Sequence, residues 1–366
     1  MFLPWTTVDR MKPFVRVLHP VLFQGVRAAG RYFEGWYFKQ TSPGIGSEPA
    51  RSLAFIPGIT RSASGYSSFV QFIDGKTGAT RYFGFSGEEF SYSDDPFEVR
   101  VGGNRFGFSG IHVELHDSDL EVRANLAYGE PTPIRTSILW PGVMGPYSFV
   151  PFMECYHGIG SLDHDVTGTV SLHYGSAPDP ERILFDGGRG YIEKDWGRSM
   201  PSAWIWMQTN TFSPGAGLPC TTVPSCLSGL TSGRQSFFLS IARIPWLGSH
   251  FNGFLCVLYV NGTEYRFSTY TGATIRMLEC DGAEIRVLLA DRLHTLEVHA
   301  RRNHEGTLAA PIQGAMERRI SESADSCLHL VFREHDGDAD TVRYTMESGS
   351  AAVEVVGPVE TLHKRR

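Results

Sequence analysis

Three stretches of this chain combine groups that hold or move protons with aromatic surface. In Arg31–Lys39, an extended backbone would put Tyr32, Glu34, Trp36 and Phe38 on one face. A carboxyl set in such an aromatic strip is desolvated, which favours its neutral, proton-donating form. A structural Glu34 that captures an arginine or a backbone amide at a barrel mouth fits the same residues. In Gly190–Arg198, alternation aligns Tyr191, Glu193 and Asp195 opposite Lys194 and Trp196. The chain then runs through Pro201 into Trp204, Trp206, Gln208 and Asn210, which share a face and join indole surface to hydrogen-bonding amides, as ligand sites commonly do. The structural alternative is a junction between barrels held by ion pairs around Lys194 and Arg198. In Pro151–Gly158, Cys155 and His157 share one strand face, with Glu154 and Tyr156 on the other. A thiol nucleophile and its base usually come from separate segments. His157 therefore reads as a proton donor, or as a hydrogen-bonder to a substrate oxygen.

Other chemistries find little support. His112 and His116 would share a face, but ~13 Å apart at ~3.3 Å per residue they are too distant for one zinc ion. His299 with His304, and Asp163-His164-Asp165, read as solvated surface groups. No G-x-G-x-x-G follows a strand, and neither a Walker A loop nor a G-x-S-x-G elbow is present. No metal and no cofactor are expected. A net charge of −6 with scattered basic residues offers no field for phosphate backbones, so nucleic acid is not an expected partner. The six cysteines lack zinc spacings and are too sparse for a disulfide scaffold, and a Cys220–Cys226 bridge is disfavoured in a reducing compartment. No apolar run approaches the ~20 residues of a membrane helix, and Met1–Lys12 lacks a signal peptide's apolar core, so a cytoplasmic location is expected.

The elements that must position these groups are strands. The chain carries 24 Phe, 14 Tyr, 7 Trp and 40 Gly, suiting pleated sheets and tight turns. Period-two runs at Ser68–Asp74, Phe97–Val101, Arg105–Ser109 and Leu120–Leu126 read as a meander, as do runs from Phe254 to Ala300 around the Asn261-Gly262 turn. Helix is expected only at Pro311–Ser323, where Ile312, Ala315, Met316 and Ile320 fall roughly on one face. At 366 residues two cores are the default. Gly35–Thr41 and Ala203–Thr209 share small–Trp–x–aromatic–x–Gln–Thr, suggesting two copies of one module. The proline-bearing stretch Gly175–Glu181 suggests a boundary near 175–190. The expectation is all-β: one antiparallel barrel over residues 1–185 and a second over 186–366.

YFEGWYFK at Tyr32–Lys39, YIEKDWGRSMPSAWIWMQTNTF at Tyr191–Phe212, and tail segments from Leu296 to Pro311 and Ser348 to Gly357 closely resemble the tocopherol cyclases of plants and cyanobacteria, in the same order along nearly the whole chain. The resemblance implies paired lipocalin-like domains and a cofactor-independent intramolecular cyclase. Such enzymes protonate a trisubstituted prenyl double bond, and the phenol oxygen captures the tertiary cation to close a chroman ring. By resemblance, Glu34, Trp36, Glu193, Lys194, Asp195, Trp196, Trp204, Trp206, Gln208 and Asn210 match motif positions. Glu193 and Asp195 rank first as the acid, Glu34 next, with His157 a further proton donor. The tryptophans are cation-stabilising walls and, with Tyr191, Lys194, Gln208 and Asn210, bind substrate. The expected partner is an apolar small molecule, and peripheral contact with a membrane stays open. Plant members carry a transit peptide that this sequence lacks, Met153–His157 resembles theirs only loosely, and Ala50–Val70 and Pro214–Arg234 look unlike theirs. A lipocalin-like carrier, or a hydratase that captures the cation with water, are the alternatives.

Overall fold

The computed structural model describes residues 16–363, apart from residues 29, 45–48, 64, 152, 176, 213–232, 247 and 338. Cys220 and Cys226, the pair weighed for a bridge, lie outside the described residues, as do Phe152 and most of the Pro214–Arg234 segment.

The fold is all-β, as expected. The strands form two antiparallel sheets, and the helical segments bounded within the described residues are 3-10 turns of three to five residues. In the first sheet the chain steps from Ala79–Ser86 through Gly65–Asp74 and Ser52–Ser62 to Tyr32–Thr41. It continues with Gly188–Gly197, Cys155–Tyr174, Leu120–Tyr128, Gly110–His116, Asn104–Gly107, Phe97–Val101 and Phe90–Asp94. Both ends of that path feed one core: Phe83 from one edge and Phe90 and Tyr92 from the other pack in the same cluster as Trp36, Phe38, Phe55 and Phe72. A sheet rolled on itself produces this result, and rolling shelters the edges that so many strands would otherwise expose. The second sheet runs Thr263–Ser268, Ser249–Val260, Gln235–Trp246, Trp204–Thr209, Ala339–Val356, Ala315–Asp336, His294–Arg301, Glu284–Ala290 and Thr274–Asp281 around its own core, which includes Ile205, Met207, Phe237, Phe267 and Phe332.

Two expectations are corrected. Pro311–Ser323 is not a helix: it ends the strand Glu305–Ile312 and begins Ala315–Asp336, with a two-residue turn in which Gln313 and Gly314 take φ of 52° and 79°. Both residues are left-handed, as a type I′ hairpin requires. Nor does the first unit end at residue 185. The chain divides into unit 1, Met1–Ile73, Thr80–Met200 and Leu308–Arg319, and unit 2, Asp74–Ala79, Pro201–Thr307 and Ile320–Arg366. Gly175–Glu181 only connects the strands Cys155–Tyr174 and Glu181–Leu184. Gly188–Gly197 lies mid-sheet between Tyr32–Thr41 and Cys155–Tyr174.

The repeated motif occupies equivalent places, since Tyr32–Thr41 and Trp204–Thr209 each pair with the strand that follows and with the last long strand of their sheet. Its two copies nevertheless face opposite ways. Trp36 points into the first core, whereas in the second sheet Ala203, Ile205 and Met207 do so and Trp204 and Trp206 lie on the other face. A shift of one residue in a period-two element exchanges every side chain between faces.

Candidate active site

Gly188–Gly197 is flanked in register by two strands: Trp36 opposes Lys194, Gly35 opposes Asp195, and His157 opposes Asp195 from the other side. Alternation sends Ile192, Lys194 and Trp196 inward with Glu34 and Trp36, and turns Tyr191, Glu193 and Asp195 to the outer face with His157.

On the inner face, the Lys194 ammonium lies 2.5 Å from Glu34 Oε1, both side chains fully buried, and donates to Leu22 O at 2.5 Å. Glu34 also accepts from the backbone N–H groups of Gln24 and Gly25 and from the Tyr32 hydroxyl at 2.6 Å. Trp36 donates its indole N–H to Val21 O, and the rings of Trp36 and Trp196 face the ammonium at 5.1 and 4.5 Å. Burial pushes Lys194 down to about 8, with Glu34 pulling against it. Glu34 is thus an acceptor ringed by donors that fasten the segment before Tyr32, and the two indoles already serve a protein cation. The nearby cavity bordered by Phe23, Gly25, Tyr32, Ile59, Arg61 and Tyr66 measures about 50 Å³. It has room for a few waters, not a substrate ring.

The outer face holds the proton cluster. His157 Nδ1 is 2.8 Å from Asp195 Oδ1, His157 Nε2 is 3.3 Å from Glu193 Oε2, and the Tyr191 hydroxyl donates to Glu193 Oε2 at 2.6 Å. Burial alone would push the imidazole down, but Asp195 and then Glu193 outweigh it and lift His157 to about 10. Near neutral pH the ring is therefore an imidazolium that donates Nδ1–H to Asp195 and faces Glu193 through Nε2 as a charge partner. Burial and then Glu193 push the Tyr191 phenol well up, so it stays a donor. The same effect, joined by Asp195, pushes the Cys155 thiol well above its ordinary value, which removes it as a nucleophile. Side-chain exposure falls from 27% at Asp195 to 11% at His157 and 5% at Glu193, so Asp195 is the member a ligand can reach. His157, Glu193 and Asp195 lie close enough for each to lend one atom to a metal ion. The imidazole is already bonded to Asp195 through Nδ1 and ion-paired with Glu193 through Nε2, however, so an ion would first have to displace one of those contacts.

The structure thus brings together His157, Glu193, Asp195 and Tyr191, and places Glu34, Lys194, Trp36 and Trp196 on or toward the opposite face. Trp204, Trp206, Gln208 and Asn210 belong to unit 2, all buried, on the face turned from its core; the Trp204 indole donates to Glu354 at 2.6 Å. Sequence reasoning missed Met144, whose sulfur accepts the His157 backbone N–H at 3.1 Å, and Gly35, which leaves the position beside Asp195 without a side chain. The alternation of each strand was legible, but the pairing of Cys155–Tyr174 with Gly188–Gly197 has no local signal.

Such a constellation on rolled antiparallel sheets defines a β-barrel protein with a largely buried histidine–carboxylate cluster. Residues 177–357 match the model of the Tocopherol cyclase-like family. The match includes Glu193 and Asp195 and excludes Glu34 and His157. The chain is 26% identical over 185 residues to the probable tocopherol cyclase, chloroplastic, of Oryza sativa subsp. japonica, which covers 49% of this chain and 36% of the rice protein. It is 26% identical over 214 residues to the tocopherol cyclase, chloroplastic, of Zea mays, covering 57% and 40%. The matched stretch therefore spans well under half of either relative. The solved structure of CghA with Sch210972 has a TM-score of 0.49 at 11% identity, covering 89% of each chain. Among the described residues, no helix is long and apolar enough to cross a membrane.

Proposed function

We propose that this protein is a cofactor-independent intramolecular cyclase that closes a chroman ring on a prenylated hydroquinone by acid catalysis. The observation that carries the reading is the His157 imidazolium bonded to Asp195 at 2.8 Å, with Asp195 the more exposed partner. An apolar substrate seated over Asp195 expels water and favours neutral groups. The proton then passes from His157 Nδ1 to Asp195 Oδ1, leaving a neutral imidazole beside a carboxylic acid, a far better donor. That acid adds its proton to the less substituted carbon of the prenyl double bond. The phenol oxygen bonds to the resulting tertiary cation, and the phenol proton returns to the cluster. Product and substrate then have the same mass, and no electron is exchanged. Glu193, held by Tyr191, keeps the imidazole oriented through its other nitrogen.

Incubation with detergent-solubilised dimethylphytylbenzoquinol tests the proposal: a chromanol of unchanged mass is expected by chromatography and mass spectrometry, and its absence rejects this substrate. The partial exposure of Asp195 also favours a second reading, a hydratase in which water captures the cation. A product heavier by one water would select it.

A further inference from the structure

The connection between Leu120–Tyr128 and Cys155–Tyr174 holds apolar side chains outward on a tethered support. Its ends are tied down, since Thr132 N–H donates to Asp163 O, Leu162 N–H donates to Thr132 O, and Ile134, Val143 and Met144 are buried. Between these anchors the chain reverses at Ser137–Trp140, whose backbone groups bond each other in both directions at 2.9 and 3.0 Å, with Ser137 Oγ also accepting the Trp140 N–H. The tip carries Ile138 at 75% exposure, Leu139 at 72% and Trp140 at 38%. Scattered exposed leucines need no explanation, but three adjacent large apolar residues on a closed turn do.

The charge pattern indicates the occupant. From Pro131 to Met153 the sequence contains no Asp or Glu, and its one charged residue is Arg135, in a chain of net charge −6. Arg135 is exposed, three positions before the tip. Aliphatic side chains that enter the acyl boundary, an indole at headgroup depth and a guanidinium among phosphates are what an anionic bilayer surface selects. We infer that the Ile138–Leu139–Trp140 turn is a docking finger for an anionic lipid bilayer. Its buried base ends at Met144, against the backbone of His157, so the finger shares its anchor with the proton cluster. Docking does not depend on the cyclase reading.

Flotation with vesicles of phosphatidylcholine, alone or mixed three to one with phosphatidylglycerol, tests the inference without any substrate. Wild-type protein is expected to float with the mixed vesicles. Ile138→Ser/Leu139→Ser should lower partitioning at least about tenfold, and Arg135→Gln a few-fold on the anionic vesicles only, with thermal midpoints unchanged. Turnover of detergent-solubilised quinol should survive in the double variant. His157→Gln should abolish that turnover and still float, so docking and catalysis fail separately. Wild-type protein that stays in the aqueous fraction, or a double variant that floats like wild type, overturns the assignment. So does a double variant whose only change is loss of self-association in light scattering, which would make the tip a protein interface.

Discussion

Adjacent residues of one strand, Lys194 and Asp195, serve opposite ends on the two faces of the first sheet. Inside, one fully desolvated ammonium meets one carboxylate, and burial prevails, so Lys194 is pushed down to about 8. Outside, one imidazole meets two carboxylates, and the charges prevail, so His157 is pushed up to about 10. Depth of burial alone does not decide the outcome; the number of counter-charges does. The inner pair is closed off by its donors and reads as structural. The outer cluster keeps one edge exposed and reads as functional.

The most drastic way to break this contrast is to neutralise the outer acid. Asp195→Asn should lower kcat for chromanol formation by ~10²–10⁴-fold, and near neutral pH it should also cost some stability, because the His157 imidazolium loses its stronger counter-charge. On the inner face Lys194→Met should spare kcat and act on stability alone: it leaves Glu34 buried without its cation and should cost about 3–5 kcal/mol in denaturant unfolding. Glu34→Gln/Lys194→Met should recover part of that loss, because the neutral pair removes the uncompensated charge. A Lys194→Met protein as stable as wild type, or an Asp195→Asn protein with unchanged kcat, would reverse the assignment of the faces.

Much of the fold was legible before the structure. Alternating strands such as Phe97–Val101 and Leu120–Tyr128 announce themselves because one face is buried and the other wet. The grouping of Tyr191, Glu193 and Asp195 followed from the same period. Three features were not legible for physical reasons. Ile312, Ala315, Met316 and Ile320 fit one helix face as well as a hairpin, and only the left-handed turn at Gln313-Gly314 separates the two. The role of Glu34 depended on which charge it would meet, and Lys194 lies far along the chain, so the same carboxyl read equally well as acid or as clasp. The extra charge on His157 was hidden likewise, since it arises from pairing across strands remote in sequence.

The pH dependence of stability sharpens the comparison, because the two groups act with opposite sign. His157, raised from 6.5 to about 10, adds stability that is complete below pH 6.5 and is lost as pH rises toward 10. Lys194, lowered from 10.5 to about 8, is unfavourable while charged in the folded protein, and that penalty is relieved between pH 8 and 10.5. Among these two groups' contributions, stability should fall from pH 6.5 to 8 and level off above it. His157→Gln should abolish the fall in denaturant titrations, and Lys194→Met should extend it toward pH 10. Equal slopes in wild type and both variants would contradict the assignment of these groups.

The smallest expected effect concerns two glycines paired across neighbouring strands. A Cβ on Gly35 would meet only atoms 3.9–4.0 Å away, whereas on Gly58 it would lie 2.4 Å from the Phe69 ring and 2.8 Å from the Glu34 carbonyl oxygen. Gly35→Ala should leave the thermal midpoint unchanged and raise KM a few-fold, since it adds bulk beside Asp195. Gly58→Ala should lower the midpoint. Identical behaviour of the two would show that the space beside Asp195 is not used.

The central claim is that His157 holds two protons between Asp195 and Glu193. Selective 15N labelling of histidine, with the His157 ring signals assigned through His157→Gln, measures this directly by NMR from pH 6 to 11. Both ring nitrogens should remain protonated through neutral pH and titrate near 10. A ring that is a single neutral tautomer at pH 7.5, titrating near 6.5, would contradict the claim.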